Sequence, residues 1–125
     1  MPTSESFKDF VLENLKSALE DTPYHFSAKK MFGEYCIYVI DRGESVPKPI
    51  FLLCDEMLFV KKFEILKLLL ESTPLGFPYA GAKESYILDV DSLETLREVI
   101  LTLAPTLPMP KKPKNKIPKE SNNAT

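Results

Sequence analysis

Three short apolar runs stand almost end to end in the middle of the chain: Tyr35–Ile40, Ile50–Cys54 and Met57–Lys62. Each is too short for a stable helix and reads as a strand. The segment 41–49 between the first two is punctuated by Gly43, Pro47 and Pro49, as a hairpin loop is. Only Asp55 and Glu56 separate the second run from the third, the length of a two-residue turn, although such turns favour Asp-Gly and Glu56 suits one poorly. Parallel neighbours would need a crossover of roughly a dozen residues or more. The spacing therefore dictates an antiparallel meander. A symmetric first hairpin centred near Ser45 pairs Ile40 with Ile50 and Cys36 with Cys54, which makes the two thiols neighbours; a slipped register would separate them.

The alternation inside these runs is apolar on both sides. Tyr35, Ile37 and Val39 alternate with Cys36, Tyr38 and Ile40, and Phe51 and Leu53 alternate with Ile50, Leu52 and Cys54. An antiparallel sheet with one solvated face should show a polar outer set instead. The surplus apolar face calls for a partner, most simply a second copy through the sheet, unless the first helix crosses to the far side and completes a monomer.

Helices flank the meander. Phe7, Phe10, Val11, Leu15, Ala18 and Leu19 form one stripe of a 3.6-residue period over 6–20, with Ser4 or Ser6 as cap and Asp21-Thr22-Pro23 as stop. Tyr24–Ala28 is aromatic and alternating, an edge strand or extended connection. Phe63–Ser72 is apolar on most sides and predicts a second helix, buried or covered. A loop over 73–82 leads to a strand at Ser85–Val90. A last helix follows, capped by Asp91 or Ser92, with Glu94 placed for a capping box and a buried stripe of Leu93, Leu96, Ile100 and Leu103. The order helix, three strands, helix, strand, helix is that of an α+β fold: a two-layer domain in which helices cover one face of an antiparallel sheet.

One such domain fills residues 1–105. From Pro105 onward, five prolines and five lysines with few bulky apolar residues cannot offset the entropy of ordering, so 106–125 is expected to be a disordered Lys/Pro-rich tail. Lys111, Lys112, Lys114, Lys116 and Lys119 stand there against Glu120 alone, a net of +4, while the overall charge is −2. A mildly acidic body with a basic tail disfavours nucleic-acid binding over the folded surface and leaves weak, salt-sensitive phosphate contact to the tail. No run approaches the roughly 18 apolar residues of a membrane span. The first residues carry no basic and apolar leader, and two cysteines make no disulfide framework; both suit a reducing cytosol.

Residues that usually carry chemistry are sparse. His25 is the one histidine, and no G-x-S-x-G, H-E-x-x-H, C-x-x-C or Gly-rich phosphate loop occurs. Neither a cofactor nor a metal site is expected, and no catalytic residue is assigned. An enzyme site beside the Pro74–Tyr79 loop, using Tyr79 and Tyr86, is the residual alternative.

The segment Met31-Phe32-Gly33-Glu34-Tyr35-Cys36-Ile37-Tyr38 resembles the M-F-G-x-Y-x-I-Y signature of the TfoX/Sxy N-terminal domain family. Three further segments follow the family pattern in order: Asp55–Lys61 resembles its D-G-x-L-Y-L-K hairpin, Pro74–Tyr79 its G-x-x-P-F-x-Y loop, and Ser85–Val90 its M-S-Y-Y-x-V-P strand. Glu34 and Cys36 replace small residues, Glu56 replaces the hairpin glycine, and 42–49 resembles an insertion. The resemblance runs from about Lys29 to about Ala104. It implies a frequently dimeric α+β domain, related in shape to secretion chaperones, that assists competence-gene transcription where a C-terminal helical domain is attached. It supplies no catalytic residue; Met31, Phe32, Gly33, Tyr35, Tyr38, Gly76, Phe77, Tyr79 and Tyr86 are its structural motif positions. Two functions are thus expected: a non-enzymatic regulatory or adaptor domain that dimerises and binds a protein partner, or a weak nucleic-acid factor acting through the tail.

Overall fold

The computed structural model describes residues 3–31, 34–41, 43 and 46–107. Helix α1 (Glu5–Ala18) begins where Ser4, in extended backbone, accepts the Phe7 N–H on its hydroxyl. Strands β1 (Tyr24–Met31), β2 (Glu34–Asp41), β3 (Lys48–Cys54), β4 (Met57–Lys61), β5 (Leu75–Gly76) and β6 (Ser85–Leu88) form one sheet in the order β1-β2-β3-β4-β6-β5, with every neighbouring pair antiparallel. Helix α2 (Leu93–Leu103) closes the domain. The expected α+β architecture with its helices on one sheet face is what the chain adopts.

Register explains which residues meet. One row across the helix-covered face runs Lys30–Tyr35–Leu53–Leu58–Leu88, through β1, β2, β3, β4 and β6. The last four are buried beneath Val11 and Leu15 of α1 and Leu96, Val99, Ile100 and Leu103 of α2 in a single core. Both helices share that core, so α1 does not cross to the far face. Leu107 is also buried in it, which carries the packed body two residues past the expected boundary at 105. Two polar ties fix α1 against the rest: Asn14 donates to the Val90 carbonyl, and the Arg97 guanidinium grips Asp21 with both nitrogens while also reaching the Ala18 carbonyl. The guanidinium holds the Asp21 carboxyl below its ordinary range.

Four local expectations are corrected. Phe63–Ser72 is not an α-helix: a short 3₁₀ turn spans Glu64–Leu66 and further turns follow to Ser72. Leu66 and Leu70 enter the core, while Leu68 is 84% exposed. The sheet gains β5 inside the expected 73–82 loop, and β1 runs on to Met31. Of the two expected cap residues it is Ser92 that caps α2, accepting the Thr95 N–H, but Leu93 lies exposed instead of on the buried stripe. In the first hairpin Cys36 pairs with Leu52, not Cys54, and the register shifts again between Ile37 and Tyr38. Pro49 accounts for the shift. It has no N–H to give the ladder, so it sits opposite Tyr38 at a bulge, and the skipped Ile50 turns into the core.

The two-residue turn forms despite its sequence. Asp55 and Glu56 both have positive φ, at 55° and 62°, a conformation that costs a non-glycine residue roughly 1–2 kcal/mol. Glu56 recovers part of that cost at the start of α1, where its carboxylate accepts the Ser4 backbone N–H at 2.7 Å and the Ser4 hydroxyl at 3.0 Å. A negative charge there also suits the helix dipole. Glu56→Ala keeps the backbone strain and loses the contact, so it is expected to destabilise the fold, whereas Glu56→Gly loses both together and should lie close to the parent. Urea midpoints that place the two variants level would contradict this division.

Candidate partner-binding surface

Among the described residues the second face of the sheet carries no helix. Its central row runs Lys29–Cys36–Leu52–Phe59–Ile87 across five strands, four of its five members apolar. Above and below it the pleat places Tyr38 and Ile40 on β2, Cys54 on β3 and Met57 on β4. Phe59 is sheltered by its neighbours: a Cβ built on Gly76 would stand 3.6 Å from the Phe59 ring and only 2.8 Å from Ile87 Cδ1. Gly76 thus lets β5 lie close against this row. Tyr38, Ile40, Leu52 and Ile87 remain half-buried, and Met31 and Met57 are exposed at the margin. Such a surface offers apolar contact. Among the described residues no group of three or more His, Cys, Asp and Glu gathers as a metal would require.

The motif positions divide between the two faces. Tyr35 and Tyr86 are core residues on the helical side, and the Lys8 ammonium sits 5.6 Å from the Tyr35 ring centre. Tyr38 lies on the open face beside Cys36. Phe77 and Tyr79, beyond β5, are 63% and 54% exposed. Tyr79 is largely exposed to solvent, while Tyr86 is buried in the core. Phe32, Gly33 and the five tail lysines Lys111, Lys112, Lys114, Lys116 and Lys119, together with the expected disorder of 108–125, lie outside the described residues. Sequence reasoning missed Leu52, Phe59 and Ile87 as one surface, because their row depends on the pairing of β4 with β6. The one local signal was the apolar alternation itself.

The cysteines are both free and buried. Cys54 lies diagonal to Cys36 on the same face, not opposite it, and diagonal Cα atoms stand about 7–8 Å apart. Disulfides rarely span that distance, so the thiols are not the directly opposed neighbours of the symmetric register, and the pair is expected not to crosslink. Burial, the Glu34 carboxylate and Asp55 push the Cys54 thiol up to about 12. Burial also raises Cys36, against a hydrogen bond from Tyr38. At pH 8 roughly one Cys54 in ten thousand would be thiolate. Alkylation of Cys54 is therefore expected only at the rate of unfolding, by mass spectrometry of iodoacetamide-treated protein. Because the fold holds this proton more tightly than the unfolded chain does, the linked stability is complete below the ordinary thiol range and is lost as pH rises toward 12. Cys54→Ala should flatten that alkaline decline; an unchanged slope would contradict the assignment.

Among the described residues no helix is long and apolar enough to cross a membrane. No protein-family model matches the chain, and no solved structure matches it. Among curated proteins it is similar to the "Uncharacterized 12.7 kDa protein in trpE 5'region" of Spirochaeta aurantia, with 30% identity over 122 residues that span 94% of this chain and 96% of that protein.

Proposed function

We propose that this chain, which belongs to the same family as the Spirochaeta aurantia 12.7 kDa protein, is a non-enzymatic regulatory or adaptor domain that works through the helix-free face of its sheet. Its first partner on that face is a second copy of itself. The observation that supports this reading is the row Cys36–Leu52–Phe59–Ile87, apolar across four adjacent strands with both helices on the other side. Within and beside this row Leu52, Ile87, Tyr38 and Ile40 are half-buried in the single chain, and their remaining apolar surface gains roughly 25 cal/mol for each Å² that a partner removes from water. The same patch on two copies is self-complementary, as a two-fold dimer requires. Four segments in family order favour a TfoX/Sxy N-terminal type of domain, and with it a role in competence or transcription exerted through protein contacts. Buried reduced thiols accord with a cytoplasmic setting.

Sedimentation equilibrium of the full chain tests the reading. A dimer is expected in the micromolar range, with little dependence on salt because the contact is apolar. A monomer that persists to high micromolar concentration would remove the self-association on which the proposal rests.

A further inference from the structure

A groove of about 590 Å³ lies between α1 and β1. Leu12 of α1 and Phe26 of β1 give it apolar walls, and Asp9, Glu13 and Glu20 rim it with carboxylates. Lys16 is the single lysine in the lining, so the rim is net negative. Asp9 is paired with Lys8 at 2.6 Å, but among the described residues no ion pair reaches Glu13 or Glu20, and both are exposed. Phosphate-bearing ligands are repelled from such a rim, whereas a cation on an apolar stem suits both the carboxylates and the walls.

The chain reverses just after α1, where the Thr22 N–H donates to the Leu19 carbonyl and the Tyr24 N–H to Thr22 Oγ1. Strand β1 therefore runs back along α1, with Tyr24 at the Glu20 end of the groove and Phe26 farther along. Tyr24 also borders a small depression shared with Ala104 and Pro105. Leu107, buried in the core, follows Pro105 by two residues, a span of at most about 7 Å. The described body ends there. The residues that come next, Pro-Met-Pro-Lys-Lys-Pro-Lys-Asn-Lys-Ile-Pro-Lys, thus leave it close to the Glu20 end of the groove.

We propose that the lysine- and proline-rich segment 108–119 docks in this groove on its own chain. Lysine heads meet Glu13 and Glu20, while lysine stems and proline rings lie over Leu12 and Phe26. Length permits it. Lys111 stands four positions after Leu107 and Lys119 twelve, about 12 and 37 Å along an extended proline-rich chain. The α1 side of the groove, from Asp9 to Leu19, is about 15 Å long. Pro108, Pro110, Pro113 and Pro118 have no N–H, so the contact is one of side chains and requires no backbone pairing with β1. The short tether gives the segment an effective concentration on the order of millimolar, well above that of a second copy's segment in a micromolar solution. The groove is separate from the helix-free face, so this proposal and the one above stand or fall independently.

Zero-length crosslinking of the full chain at low ionic strength supplies the test. A carbodiimide joins a lysine amine to a touching carboxylate as an amide, and takes up the released water as its urea. Mass spectrometry is expected to find Glu13 and Glu20 joined to lysines of 108–119 in several-fold excess over the exposed Glu71 and Glu98. Salt at about 1 M, which screens charges beyond about 3 Å, should abolish the excess. In a mixture of isotope-labelled and unlabelled chains, these crosslinks should stay within one isotope. The variant K111E/K112E/K114E, altered only beyond Leu107, should shift the amide signals of Leu12, Lys16 and Phe26 and leave those of Leu52 and Ile87 in place. Crosslinks spread evenly over the exposed carboxylates, crosslinks between isotopes, or groove amides that do not move would each overturn the proposal.

Discussion

Leu53→Ala is expected to lower the stability of the domain by about 2–5 kcal/mol, the range for removing a fully buried leucine from a core that cannot collapse around the gap. Leu53 sits on β3, in the middle of the sheet, between Tyr35 on β2 and Leu58 on β4, and none of its surface reaches water. Strands on both sides and helices above hold the cavity walls apart. Against a total stability of roughly 5–15 kcal/mol, the variant would be marginal at ambient temperature. Leu68→Ala is the matched control: the same atoms leave a position that is 84% exposed, and the change should stay within about 0.5 kcal/mol. Urea unfolding at one fixed protein concentration, chosen because the proposed self-association would make stability depend on it, measures both. A Leu53 loss below about 1 kcal/mol would contradict the core described here.

Leu52→Lys is expected to abolish the proposed self-association while leaving each protomer folded. Leu52 is one residue from Leu53 yet points to the other face, where it is half-buried between Cys36 and Phe59. The lysine stem can cover the same neighbours in a monomer and keep its charge in water. In a two-fold contact it cannot: each copy would bury an unpaired ammonium, a penalty of several kcal/mol, or a loss of at least about a hundredfold in association. Glu98→Lys, on the exposed side of α2, makes the charge change in the same direction and larger, without touching that face. Sedimentation velocity should give a monomer for L52K and the parental dimer for E98K. A dimer in both would place the contact elsewhere.

The contrast between Leu52 and Leu53 also marks what was legible in the sequence. Alternation within a strand is a local property, so the two-sided apolar pattern and the meander of β2, β3 and β4 could be read from spacing, whereas the pairing of β1 with β2 was left open. A register slip of two residues in the first hairpin left the faces of Phe51 to Cys54 as expected, because side chains repeat every second position, while the bulge moved Ile50 into the core. It did break the Cys36–Cys54 pairing, and the cause was Pro49, whose missing N–H was visible but whose bulge was not anticipated. The run Phe63–Ser72 failed for a different reason. Apolar content suggested a helix, but only Leu66 and Leu70 meet the core, and a 3₁₀ turn with further turns is enough to seat two leucines. The open-face row and the α1–β1 groove needed long-range facts, namely the insertion of β6 between β4 and β5 and the placement of α1 beside the sheet edge. No local signal carries those.

The most direct measurement on the open face is an isotope-filtered NOE experiment on an equal mixture of labelled and unlabelled full-length chains. Intermolecular contacts are expected from the methyl groups of Ile40, Leu52, Met57 and Ile87, and none from Leu15, Leu96 or Ile100 in the helical layer. Intermolecular contacts confined to the helices, or none at concentrations where the chain sediments as a dimer, would contradict the claim that the helix-free sheet face is where this protein meets its partner.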